Sequence, residues 1–486
     1  MAGIGFSLRK LFKDKSCFGY AKAYAWAGMV TTGPFMVMIG LILGVQLLYA
    51  HFDIADFQRS LYIESIVYPF IFSHIVVSGF QLIITRYVAD KLYEQDFKPI
   101  LSSVFGMLSI VLTLGGIIGI LFFLWADLPF YLELTTFIFY MEMIIILLLG
   151  VYISALQNYI FIVKAYGYGL IVTLLGTFWV LAEPWFEDTV TWTMLMMDIG
   201  ALIIAVLLFH SIYMFFGFEN YLNYGFIAYF GKFKKLFLAN LLYALGLYSH
   251  VIIIWFGPQG MCLANTYYCQ PQYDVSTFYA YLSILPVMIL FVINTEINFY
   301  EKFRRYLMFI TEKGNYEEIV QSRKEMLHVM WSEIRNIFDF QLVAVFCFIS
   351  FGNMIMPMVG LGYYGIDIYN MLVLSAFCIG VLQAVFIMLL YLEDKNGTLM
   401  TAVLMLLLSI IFNGICVWLG ERTYGLGAFA AYFCTLIFAV YRLNVYSDRI
   451  DYHIFCSQPV LEIKDNGFFS RLHERIEAGS SDEENK

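Results

Sequence analysis

Charged side chains are scarce in this sequence, at 13% of 486 residues, while hydrophobic ones reach 61%. Soluble globular chains carry about a quarter charged and about half apolar, so this composition excludes an ordinary soluble domain and places the chain in lipid. Catalytic signatures are missing too. There is no HExxH, GxSxG or P-loop, and no GxGxxG between a strand and a helix, so the usual routes to metal-assisted hydrolysis, acyl transfer and nucleotide chemistry have no anchor. A membrane acyltransferase would need a buried histidine, for which His210 and His250 are weak candidates, and the chain reads as a non-enzyme. Cysteines are few and scattered, with no CxxC and no Cys/His spacing for zinc. Cys17, Cys347, Cys378, Cys416, Cys434 and Cys456 read as packing thiols. Cys262 and Cys269 share the loop "GPQGMCLANTYYCQPQYDV", where a disulfide and two free thiols are both open readings.

Long apolar runs fill the remainder. A bilayer needs about 20 apolar residues per helix, and the chain offers spans near 23–50, 61–85, 100–125, 130–156, 166–183 and 190–216. Six more lie near 236–256, 276–297, 336–357, 366–392, 398–420 and 424–441. The expectation is an all-α polytopic membrane protein of about twelve helices in two six-helix halves, 23–216 and 236–441, joined by a connection over 217–235. No short apolar core with a cleavage site precedes the first span, so the N-terminus does not read as a cleaved signal peptide. Residues 1–22 instead put Ile4, Leu8, Leu11 and Phe12 on one helical face, against Arg9, Lys10, Lys13 and Lys15, as in a helix lying in the headgroups.

Lysine and arginine set orientation. With the N-terminus inside, 26 of the 28 fall in inside segments and only Arg59 and Arg422 fall outside. Both termini are therefore expected in the cytoplasm of an inner-membrane protein, with a tail over 442–486. The longest inside connection, 298–335, alternates apolar and charged residues at helical spacing and reads as two amphipathic cytoplasmic helices. Its Lys302, Arg304 and Arg305, together with Arg9, Lys10 and Arg86, form the expected docking surface for a cytoplasmic partner.

Polar groups inside the spans carry the candidate site. A charge at mid-bilayer costs at least about 2.5 kcal/mol, so a retained one is a functional candidate by default. Glu142 in "FYMEMIIILLLG" and Asp198 in "LMMDIGALII" lead, as a cavity or ion-coupling pair or as protonated packing groups. Asn240, His250, Asn294, Asn353 and Asn413 complete the candidate path, though each also suits plain interhelical hydrogen bonding. Pro34, Pro69 and Pro286 mark candidate hinges, because a proline inside a span removes a backbone hydrogen bond. No lysine or arginine reaches mid-depth, which argues against a carrier for a diphosphate-linked head group. Nothing calls for a cofactor or a metal, and nucleic acid is not an expected partner.

Four segments carry a resemblance: "MAGIGFSLRKLF", "AYAWAGMVTTGPF", "SGFQLIITRYVADKLYEQDFKPI" and "YEKFRRYLMFITEKGNYEEI". Together they resemble the PelG family of Pel exopolysaccharide transport components, itself similar to the multidrug/oligosaccharidyl-lipid/polysaccharide exporter superfamily. The first span reads "GPF" where the family would lead one to expect "GPW". The resemblance implies export of an N-acetylgalactosamine-rich polymer for a biofilm matrix. It also implies a cytoplasmic glycosyltransferase (PelF) and membrane partners (PelD, PelE). Two alternatives stand beside it: a proton- or cation-coupled lipid or drug flippase, and a scaffold that holds a polysaccharide synthase without transporting.

Overall fold

The computed structural model describes residue 28 and residues 32–154, 159–217, 224–311 and 314–455. The interfacial helix expected over 1–22, with Arg9 and Lys10, and the tail beyond 455 lie outside the described residues. Helices dominate because the apolar windows have nowhere to satisfy backbone N–H and C=O groups except within a helix. The first seven are α1 (Gly33–His51), α2 (Asp56–Tyr93), α3 (Lys98–Phe123), α4 (Phe130–Ser154), α5 (Tyr159–Ala182), α6 (Thr189–Phe216) and α7 (Ile227–Trp255). A hairpin of β1 (Met261–Leu263) and β2 (Tyr267–Cys269) follows, then α8 (Pro271–Tyr281), α9 (Leu285–Asn294) and α10 (Tyr300–Thr311). The series ends with α11 (Tyr316–Ile355), α12 (Tyr363–Tyr391), α13 (Lys395–Leu419), α14 (Leu426–Asp448) and the short α15 (Ile450–Phe455). Among the described residues eleven helices are long and apolar enough to cross a membrane, and Met36–His51 adds a shorter apolar one. The protein is a multi-pass membrane protein with about twelve spanning helices.

Two compact units are present. The first holds Pro34–Leu245 and also Cys262–Tyr268; the second holds Gly246–Met261 and the described chain from Cys269 onward. In the first, α4 packs on α2, α3 and α6, and α6 packs on α5. The α5–α6 approach is close because a Cβ on Gly200 would lie 2.9 Å from the Gly169 carbonyl oxygen, the kind of small-residue contact on which membrane helices rely. In the second, α12 packs on α8, α11 and α14, and α13 packs on α14. Asp394 pins that last pair: it accepts the Gly397 N–H at 2.8 Å, capping α13, and takes the Arg442 guanidinium of α14 bidentately at 2.6 and 2.9 Å.

One sequence expectation changes. The second cytoplasmic helix of 298–335 does not end before the next span: α11 runs unbroken for 40 residues. It opens on an Asn315/Glu318 capping box and meets no proline, so nothing terminates it at the membrane. The span expected near 276–297 lies within one helical stretch, Pro271–Thr311, in which α8, a 3-10 turn (Leu282–Ile284), α9, a π-helical turn (Thr295–Phe299) and α10 follow one another. Of the two open readings for Cys262 and Cys269, the structure shows no disulfide between them; Cys262 is exposed and Cys269 is buried.

Candidate functional site

The two leading carboxylates meet in the first unit. Glu142 on α4 and Asp198 on α6 are 7% and 5% exposed, and Asp198 lies within electrostatic reach of both Glu142 and Tyr62. Neither Asp198 oxygen has a hydrogen-bond partner among the described residues, nor do Glu142 Oε2, Tyr62 Oη and Tyr140 Oη. Tyr62 on α2 is fully buried, with its ring 5.3 Å from that of Tyr49 on α1. Tyr49 in turn hydrogen-bonds Thr193, one α6 turn from Asp198. Three helices thus bring Glu142, Asp198 and Tyr62 together with buried polar atoms left unsatisfied, and α1 adds Tyr49, whose hydroxyl is bonded to Thr193. Buried polar groups almost always find partners, and buried acids need protons or a cation to be tolerated.

The other candidates do not join this cluster. Asn240 on α7 donates to the Ser78 carbonyl at 2.6 Å, and so ties α7 to α2. In the second unit His250 is fully buried, with Nδ1 2.7 Å from the Tyr273 hydroxyl and Nε2 2.8 Å from that of Tyr281. Asn413 donates to the Ser409 carbonyl at 2.8 Å, leaving its Oδ1 without a partner among the described residues. Asn294 is buried at the end of α9, and Asn353 is exposed on α11. Of the hinge candidates, Pro34 stands at the second residue of α1, where a missing N–H breaks no helical bond. Pro69 sits inside the continuous α2, and Pro286 is the second residue of α9, straight after the 3-10 turn.

The docking cations are already engaged in part. Lys302 pairs with Glu325 at 3.0 Å, Arg305 approaches the same carboxylate at 3.9 Å, and Arg86 lies 3.8 Å from Asp90 with its guanidinium over Phe233. Arg304 is exposed. No group of three or more His, Cys, Asp or Glu among the described residues could hold a metal ion.

Sequence reasoning missed the tyrosines. With 36 of them in the chain, no local signal separates Tyr49, Tyr62 and Tyr140 from the others. It also missed Gln341, fully buried on α11 with both amide atoms lacking a partner among the described residues; a buried glutamine inside an apolar run was the available signal.

Similar proteins place this architecture. An outward-facing multidrug resistance transporter of the MATE family, in the MOP superfamily, matches with a TM-score of 0.54 at 14% identity, over 87% of this chain and 96% of its own. A MATE transporter in complex with MaL6 matches at 0.59 and 12%, over 88% and 97%. A MOP superfamily transporter from Pyrococcus furiosus, described as having a binding pocket of reverse polarity, matches at 0.55 and 11%, over 88% and 96%. These likenesses establish a transporter fold. No curated sequence matches the chain. The family model of PelG, described as "Putative exopolysaccharide Exporter (EPS-E)", matches residues 1–455. The chain belongs to the PelG family of exopolysaccharide exporters.

Proposed function

We propose that this protein moves an exopolysaccharide across the cytoplasmic membrane, with both termini inside, accepting polymer from a cytoplasmic glycosyltransferase of the PelF kind. The observation that carries the reading is the family match along nearly the whole chain, on a fold shared with transporters. A neutral, N-acetylgalactosamine-rich polymer suits a chain whose spans expose no cation at mid-depth and offer amides and aromatic rings instead. The cationic positions Arg9, Lys10, Arg86, Lys302, Arg304 and Arg305 are the proposed docking surface, with PelD-like and PelE-like membrane proteins completing the assembly.

A second reading, coupling to protons or cations as in a lipid or drug flippase, is favoured by the unpartnered Glu142–Asp198 pair. The two readings separate in inverted vesicles that hold this chain and its glycosyltransferase, fed labelled nucleotide sugar. Product that becomes protected from added glycosidase only when this chain is present supports polymer translocation. Product made normally but never protected removes that reading. Loss of protection in a Glu142→Gln/Asp198→Asn variant, with synthesis intact, adds the coupling role.

A further inference from the structure

The hairpin between α7 and α8 is docked as if it were a ligand. Its two-residue turn, Ala264–Asn265, has φ of 47° and 50°, with the Thr266 N–H bonded back to the Leu263 carbonyl at 3.0 Å. Positive φ at both central positions is the type I′ geometry that suits tight hairpins, and it strains a residue such as alanine.

The tip is seated in the first unit. Tyr267 is fully buried, its ring 4.9 Å from Tyr68 and 6.4 Å from Phe122, and its hydroxyl lies beside Ser65 and Thr136. Tyr68 uses its single hydroxyl to close both backbone groups of Tyr268, donating to the carbonyl at 2.8 Å and accepting the N–H at 2.9 Å. It thereby stands in for a neighbouring strand. Thr266 Oγ1 accepts the Asp127 N–H at 2.8 Å, and the Asn265 amide donates to Asp127 Oδ2 at 3.1 Å. Residues 262–268 thus belong to the first unit, while the chain on either side, through Met261 and from Cys269, belongs to the second.

We propose that residues 261–269 form a releasable plug, seated on Tyr68, Phe122 and Asp127 at rest and withdrawn during transport. The seat is lined by two aromatic rings, two hydroxyls and a carboxylate, all groups that tolerate water once the plug leaves. The contacts are three neutral hydrogen bonds, one to the Asp127 carboxylate and one buried aromatic side chain, enough to order the segment and few enough to break in each cycle. The proposal rests on the transport reading only for the moment of release; the seat itself does not depend on it.

The native cysteines supply the test. Cys262 is exposed, and Cys269 at the base of the hairpin is 1% exposed, so a membrane-impermeant maleimide, with the modified sites mapped by mass, reads the plug directly. Tyr68→Phe keeps the ring and removes both bonds to Tyr268. It is expected to raise Cys269 labelling about thirtyfold, the weight of two lost hydrogen bonds, and to leave Cys262 unchanged. Equal Cys269 labelling in wild type and variant overturns the seat. For release, Asp127→Cys/Asn265→Cys is cross-linked in a Cys262→Ser/Cys269→Ser background. Transport that stops on oxidation and returns on reduction is expected, whereas equal transport in both states makes the hairpin a fixed staple and overturns the plug. If the wild-type chain moves no polymer while Tyr68→Phe still exposes Cys269, the transport reading fails and the seat stands.

Discussion

Two buried polar sites of the second unit and the acid cluster of the first have opposite hydrogen-bond states. In the second unit the His250 imidazole is held at both nitrogens by Tyr273 and Tyr281, and the Asp394 carboxylate is capped, paired and bidentate. In the first, Glu142, Asp198 and Tyr62 are buried too, yet Glu142 Oε2, both Asp198 oxygens and the Tyr62 hydroxyl lack partners among the described residues. A satisfied cluster stabilises the helices that form it. An unsatisfied one lowers stability and persists where something else, a proton, an ion or a substrate hydroxyl, completes it. Burial alone does not tell the two apart; hydrogen bonding does.

Mutation can break this contrast, and the largest effect on stability is expected at Asp394. Asp394→Ala removes the α13 cap and strands Arg442, which should cost about 3–5 kcal/mol, measured as thermal unfolding in detergent; a loss below about 1 kcal/mol would show that the pair is solvated. His250→Ala strands two tyrosine hydroxyls and opens a cavity, and should cost about 2 kcal/mol in the same measurement. By contrast, Glu142→Gln/Asp198→Asn should leave stability within about 1 kcal/mol of wild type, or raise it, because no native bond is lost. Polymer protection in vesicles should collapse all the same. A strongly destabilised double variant would mean that the acids are packing groups after all.

The smallest effect concerns Glu325, outside the apolar part of α11. Hydrogen bonding to the Lys302 ammonium holds its carboxyl below the ordinary range. The stabilisation is complete above the unfolded value of about 4.3 and fades as pH falls through the lowered folded value. Hydrogen exchange of α10 should rise only in that acid window, and Glu325→Gln should remove the pH dependence.

Proline shows why the sequence could be read only so far. Pro69 and Pro286 look alike within apolar runs, yet α2 passes through Pro69 as one α-helix of 38 residues, while Pro286 directly follows a 3-10 turn inside the helical stretch Pro271–Thr311. The difference lies in what surrounds each residue. Pro69 is buried beside Tyr68 in a packed wall, whereas Pro286 begins a new helix, the position where its missing N–H costs nothing. The spans themselves were legible within a few residues, from 100–125 against Lys98–Phe123 to 366–392 against Tyr363–Tyr391. Glu142 and Asp198 were legible as well, since an acid in an apolar window stands out locally. Tyr62, Tyr49 and the seat of Tyr267 were not, because tyrosine is common here and their meaning comes from partners far away in sequence.

The sequence by itself determined a helical membrane protein, the number of its spans and the short list of acids within them. Those follow from the cost of burying unpaired backbone and charge in lipid, a cost counted residue by residue along the chain. Tertiary structure alone decided which acids are left without partners, which histidine is satisfied, and that Tyr267 of the hairpin is buried against Tyr68 and Phe122. Each of these depends on groups brought together from distant positions, and their proximity is fixed only when the helices pack.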